Sequence, residues 1–173
     1  GLAMVCAARG YPLVVTMDGH KSIQARFTKQ PPTITAQPFS STVVFGEKTS
    51  LEVEADGGGP FTYQWTLQGK AIAGATSASY VIDSATEKDA GIYRVRVTNE
   101  AGSIESGPAR LSVNYKITQQ VIGFGVLQVS PNKASYAPNT KVTITAKPSS
   151  GNGFVGWSGS VAGKEIEVVL TMG

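Results

Sequence analysis

Tyr63-Gln64-Trp65-Thr66-Leu67 and Asp89-Ala90-Gly91-Ile92-Tyr93-Arg94-Val95-Arg96-Val97 are the stretches whose reading decides the fold. In the first, Tyr63, Trp65 and Leu67 alternate with Gln64 and Thr66; in the second, Tyr93, Val95 and Val97 alternate with Arg94 and Arg96. Successive side chains of a strand point to opposite faces. Such alternation therefore marks half-buried antiparallel strands. Leu51, Val53 and Ala55 set against Glu52 and Glu54 repeat the pattern.

Outward from these stretches, strand-like runs recur every ~8–12 residues with turn signals between them, as in sandwiches and small barrels. Within residues 31–114, strands are expected at Thr33–Ala36, Thr42–Phe45, Ser50–Ala55, Phe61–Leu67, Ser79–Asp83, Gly91–Thr98 and Ser103–Val113. Asp56-Gly57-Gly58-Gly59-Pro60 and Gln68-Gly69-Lys70 supply turns. Residues 1–30 end in an expected hairpin, Leu13–Met17 and Ser22–Phe27 around the turn Asp18-Gly19. Gln30-Pro31-Pro32 follows as a stiff linker. In residues 115–173, Val142, Ile144 and Ala146 alternate with Thr143, Thr145 and Lys147, and Ile166–Met172 is a further strand. No stretch carries helical apolar spacing, so the fold class is all-β. Val14-Val15-Thr16-Met17 recurs as Val169-Leu170-Thr171-Met172, an offset of 155 residues, so each flank reads as part of a repeated module.

Of the 173 residues, 41% are hydrophobic and 16% charged, with a net charge of +3 and basic residues scattered along the chain. That distribution argues against a nucleic-acid surface. There is no apolar run near the length a membrane span needs. Cys6 is the one cysteine, so core packing rather than an intrachain disulfide must hold each module. Gly1–Ala8 lacks a basic leader region and has Val5 where a lipidation signal wants a small residue; it reads as mature chain.

The middle part resembles an immunoglobulin I-set domain of the disulfide-free kind found in large bacterial surface proteins. Tyr63-Gln64-Trp65 with Gly69-Lys70-Ala71-Ile72 looks like that family's strand C and its buried Trp, and Tyr80 and Ile82 match strand E. Asp89-Ala90-Gly91-Ile92-Tyr93 matches the segment that carries the tyrosine corner. Where the family normally has its bridging cysteines, this chain has Val53 and Val95. The bridge usually contributes ~2–4 kcal/mol. Two valines facing Trp65 would bury apolar area worth roughly 1.5–3 kcal/mol each instead. The flanks resemble the divergent B-repeat of internalin-type surface proteins, a small β-fold of the ubiquitin-like or grasp class. The resemblance rests on Tyr136–Ala146 followed by Phe154-Val155-Gly156-Trp157-Ser158-Gly159, and on the closing hairpin Val15–Phe27. Fold class and organisation follow: an immunoglobulin-like antiparallel β-sandwich over 31–114 between parts of a small β-repeat at 1–30 and 115–173.

No residue set suggests catalysis. His20 stands alone in a turn, Cys6 reads as a small apolar core residue, and Asp18, Asp56, Asp83 and Asp89 each sit in turns without calcium-ligand spacing. Gly57-Gly58-Gly59 lacks the Lys and Ser/Thr of a phosphate loop. Neither metal nor cofactor is expected. Val53, Trp65, Tyr93, Val95 and Trp157 are the expected core residues, Trp157 sharing an inward face with Val155. Arg94, Arg96 and Arg110 are expected together on one outer face, a candidate patch for acidic partners. Val14, Val15, Met17, Ile23 and Phe27 form an expected strand-pairing segment that completes a sheet with residues 115–172, within the chain or from the next molecule.

The functional expectation is a non-catalytic structural or stalk module of a large repetitive bacterial extracellular or cell-surface protein, self-associating through strand pairing. The alternative is an adhesin module that binds a cell-surface glycan or protein through the sheet face or loops. Expected partners are neighbouring modules or other copies of the chain, with no nucleic acid and no membrane span.

Overall fold

The computed structural model describes residues 5–8, 11–14, 19–20, 24 and 27–173. In chain order the strands are β1 (Val5–Ala8), β2 (Tyr11–Val14), β3 (Thr33–Ala36), β4 (Ser41–Val44), β5 (Thr49–Glu52), β6 (Glu54–Asp56), β7 (Thr62–Leu67), β8 (Lys70–Ala71), β9 (Ser79–Ile82), β10 (Gly91–Asn99), β11 (Gly102–Glu105), β12 (Ala109–Asn114), β13 (Gly125–Ser130), β14 (Lys141–Pro148) and β15 (Glu167–Thr171). One 3-10 turn, Glu87–Asp89, interrupts them. Among the described residues the fold is all-β, as the alternation requires.

Residues 33–114 form two facing layers. One sheet runs β4-β12-β10-β7-β8, with β11 also paired to β10; the other is assembled from the pairs β3-β6 and β5-β9. The expected strand Ser50–Ala55 is broken at Val53, whose amide donates to the Ala78 carbonyl at 3.1 Å, so that β5 pairs with β9 and β6 with β3. The expected strand Ser103–Val113 is likewise split. Ser106 turns inward, its hydroxyl accepting from the Val95 amide at 3.0 Å, and Pro108 has no amide to offer a ladder. The Gln68-Gly69 turn joins β7 to β8 with φ of 49° and 79°, the two positive values that a tight two-residue hairpin needs.

The core sits between these layers around Trp65, with Leu51, Val53, Tyr93, Val95, Leu111 and Val113. Trp65 is 0% exposed and its indole N–H donates to the Ser77 carbonyl at 2.9 Å, so the one polar atom of the ring is satisfied. Val95 lies directly across the ladder from Trp65, and Val53 is in the same buried cluster.

The C-terminal sheet is β13-β14-β15, all antiparallel. Val142, Ile144 and Ala146 point to one side and are buried, with Tyr136 and Met172 beside them. The segments 117–124 and 149–166 are irregular chain. β13 is a strand beyond those expected from the sequence. At the other end of the chain, β1 and β2 pair with each other, Val5 opposite Val14. Most of the expected Leu13–Phe27 hairpin lies outside the described residues.

Candidate functional site

Three places could carry function: the outer face of the larger sheet, the joint between the sandwich and the C-terminal sheet, and the inner side of that sheet.

On the outer face, Arg94 pairs across from Thr66 and Arg96 from Gln64, while Arg110 lies across from Ile92 on the other side of β10. The three arginines therefore do share one face. Arg94 is half-buried and donates through Nη1 to the Ser106 carbonyl at 3.2 Å, whereas Arg96 and Arg110 are exposed. Sequence reasoning missed Glu105, which sits directly across β11 from Arg96 and offsets its charge. Only a fold that brings β11 back along β10 reveals that pairing.

At the joint, β12 ends at Asn114 and the next residue, Tyr115, already bridges Tyr136 through two backbone hydrogen bonds of 2.8 Å. Its ring stacks on Phe45 at 5.5 Å between centroids, its hydroxyl donates to the Glu87 carboxylate, and Asn114 Nδ2 donates to Ser135 Oγ at 3.1 Å. The bond to Glu87 raises the Tyr115 phenol pKa, and partial burial adds to the effect. The opposite side of this end is built by the tyrosine corner. Thr86 holds the Asp89 carboxylate through its amide (2.8 Å) and its hydroxyl (2.6 Å), and the Tyr93 hydroxyl donates to the Asp89 carbonyl at 2.7 Å. Burial, then the neighbouring Tyr80 and Asp89, pushes the Tyr93 phenol well up. At Gly91 a Cβ would lie 2.6 Å from Leu67 Cδ1, so a larger residue there would make the Leu67 side chain shift.

On the inner side of the C-terminal sheet Val142, Ile144 and Ala146 are buried, while Leu127 and Leu170 are half-buried beside a cleft. This cavity of about 610 Å³ is lined among others by Leu127, Ile144, Ala146, Phe154, Trp157 and Leu170. The expected inward face of Val155 and Trp157 is corrected here. Val155 is 86% exposed, and Trp157 is half-buried at the cavity wall, tilted against Phe154 with 4.9 Å between ring centroids and donating its indole N–H to the Glu165 carbonyl. A core position needs packed atoms on both sides of the ring, and here one side is the cavity. Ile122 and Phe124 beside it are 90% and 78% exposed.

Of the expected strand-pairing residues, Phe27 is exposed, and Val14 belongs to β2, its side chain not described. Val15, Met17 and Ile23 lie outside the described residues, as does the side chain of Cys6. His20 is exposed. Among the described residues no three His, Cys, Asp or Glu side chains gather as a metal site requires, and no helix is long and apolar enough to cross a membrane.

A two-layered sandwich, antiparallel except for the parallel pair β4-β12, with a buried Trp and a tyrosine corner is the immunoglobulin-like class. Residues 31–99 match the family model described as an immunoglobulin domain, and residues 115–172 match the one described as a divergent InlB B-repeat domain. The chain thus carries an immunoglobulin-like domain followed by a divergent B-repeat. It is 35% identical over 86 residues to Endoglucanase C of Cellulomonas fimi, covering 47% of this chain and 8% of that protein. It is 44% identical over 61 residues to the Decoration protein of Escherichia phage T5, covering 35% of this chain and 37% of that protein. It therefore spans far less than two thirds of either relative. Among solved structures it is similar to titin domain M7, with 27% identity, a TM-score of 0.45, and 51% of this chain and 98% of that chain covered.

Proposed function

We propose that this chain is a non-catalytic structural segment, a stalk element, of a large repetitive bacterial protein that works outside the cell or on its surface. Its partners are the neighbouring modules of the same protein and other copies of the chain. The observation that carries this reading is the joint: Tyr115 leaves the last strand of the sandwich and enters the next module with no linker between them. A stacked ring, a phenol-carboxylate hydrogen bond and a backbone bridge across one residue oppose bending, which is what a load-transmitting rod needs and what a tethered catalytic unit does not. Small-angle scattering tests it. The chain should scatter as one rigid body, and Tyr115→Ala should broaden the distance distribution; a wild-type chain already scattering as two independently moving bodies would refute the stalk reading.

A second reading, an adhesin module for an acidic glycan or protein, is supported by Arg94, Arg96 and Arg110 lying on one face. Glu105 opposite Arg96 weighs against it.

A further inference from the structure

The cavity beside the C-terminal sheet and the outer edge of β15 make an acceptor that the described residues of its own chain do not fill. An open cleft of about 610 Å³ runs along the sheet, with the half-buried Leu127 and Leu170 and the exposed Ile122 and Phe124 in its wall. Apolar side chains left partly in water beside one another mark a surface that can take a further apolar segment. β15 pairs with β14 on one side and, among the described residues, with nothing on the other. An open strand edge of this kind invites a further strand.

The sequence names the occupant. β15 and the residue after it carry Val169-Leu170-Thr171-Met172, and the equivalent Val14-Val15-Thr16-Met17 is followed in the sequence by Asp18-Gly19 and then Ser22-Ile23-Gln24-Ala25-Arg26-Phe27. In that segment Ile23, Ala25 and Phe27 alternate with polar residues, so as a strand it offers one apolar side. Phe27 is 90% exposed, with no cover among the described residues.

Geometry then decides which copy supplies it. The Gln30 carbonyl is held at one end of the sandwich by the Asn99 side chain (2.7 Å) and the Gly58 amide (3.1 Å), and Lys29 pairs with Glu100 at 2.8 Å. Tyr115 leaves from the opposite end, beside Glu87 and the start of β10. The nine residues of β10 separate these ends by about 30 Å at ~3.3 Å per residue. From Gln30 back to Phe27 the chain reaches at most about 11 Å. Phe27 therefore cannot reach the far end of its own sandwich, where Tyr115 enters the sheet that holds β15.

We infer that Ser22–Phe27 of a second copy adds to the β15 edge and fills the cavity, head to tail. Such a contact does not close on itself and so builds a linear array. This rests on the structural-module reading, but its test is separate from the scattering test of the joint.

Sedimentation of the full chain over a range of concentrations, with and without a synthetic peptide of residues 19–30, reads it out. The chain should form a concentration-dependent series of oligomers that excess peptide converts to monomer. A peptide carrying Phe27→Asp should need about 10- to 100-fold more to do the same, the loss expected from one unburied aromatic side chain. A monomer at every concentration, oligomers that the peptide leaves intact, or equal potency of the two peptides would overturn the inference. Because the variant is in the peptide, folding of the chain is not at stake.

Discussion

The two tryptophans of this chain occupy opposite circumstances. Trp65 lies between two sheets at 0% exposure, while Trp157 leans on one side of a single sheet beside a cavity. Both indoles donate to a backbone carbonyl, Ser77 for one and Glu165 for the other, so hydrogen bonding does not distinguish them. Layering does. A sheet has two faces, and the sandwich supplies a second sheet to cover the inner one, whereas the B-repeat leaves Leu127, Ile144 and Leu170 facing a space of about 610 Å³. The sandwich closes its inner face with a second sheet; the B-repeat sheet is covered by irregular chain that leaves a cleft beside it.

The largest test of that contrast is truncation of each ring. Trp65→Ala should cost about 3–5 kcal/mol and unfold the sandwich cooperatively, since it empties a packed site. Trp157→Ala, whose ring already faces a void, should cost about 1 kcal/mol or less. Urea unfolding measures both, and near-equal losses would break the comparison. Next in size, Val53→Cys with Val95→Cys should form a bridge on oxidation and raise stability by about 2–4 kcal/mol relative to the reduced form. Failure to oxidise would show that the valines do not stand in the bridging positions.

Smaller again is the tyrosine corner. Tyr93→Phe removes the bond to the Asp89 carbonyl and should cost about 1 kcal/mol. Its pH dependence has a definite sign. Burial raises the folded-state pKa of Tyr93 above the ordinary phenol value of about 10. Its contribution is therefore whole below that pH and is lost as pH rises through the folded value. Wild-type stability should fall in strong alkali more steeply than that of Tyr93→Phe. Of similar size, Arg94→Glu with Arg96→Glu should cost about 1 kcal/mol, because Arg94 loses its bond to the Ser106 carbonyl and the new Glu at 96 lies opposite Glu105. Under the stalk reading it should leave binding to cells and glycans unchanged; abolished binding would favour the adhesin.

The legibility of the chain follows the same division. Strands β7 and β10 are plain in the sequence because each buries one face in a continuous core, so apolar and polar residues alternate without exception from Tyr63 to Leu67 and from Tyr93 to Val97. β13 alternates too, but Val126 on its outer side is as apolar as Leu127 and Val129 on its inner side, and the contrast disappears. The breaks at Val53 and Ser106 depend on which strand each half pairs with, a long-range fact that propensity does not carry. Glu105 opposite Arg96 is hidden for the same reason. Trp157 is illegible as a cavity-wall residue because Phe154–Gly159 has the spacing of a strand but folds as irregular chain closed by one bridge to Gly163.

Residue-resolved amide hydrogen exchange tests the contrast between a closed sandwich and an open sheet most directly. The amides of Trp65 and Val95 should be the slowest in the chain, and those of β15 faster by orders of magnitude in dilute solution. Protection across Glu167–Thr171 that equals that of β10 in the dilute monomer would contradict it.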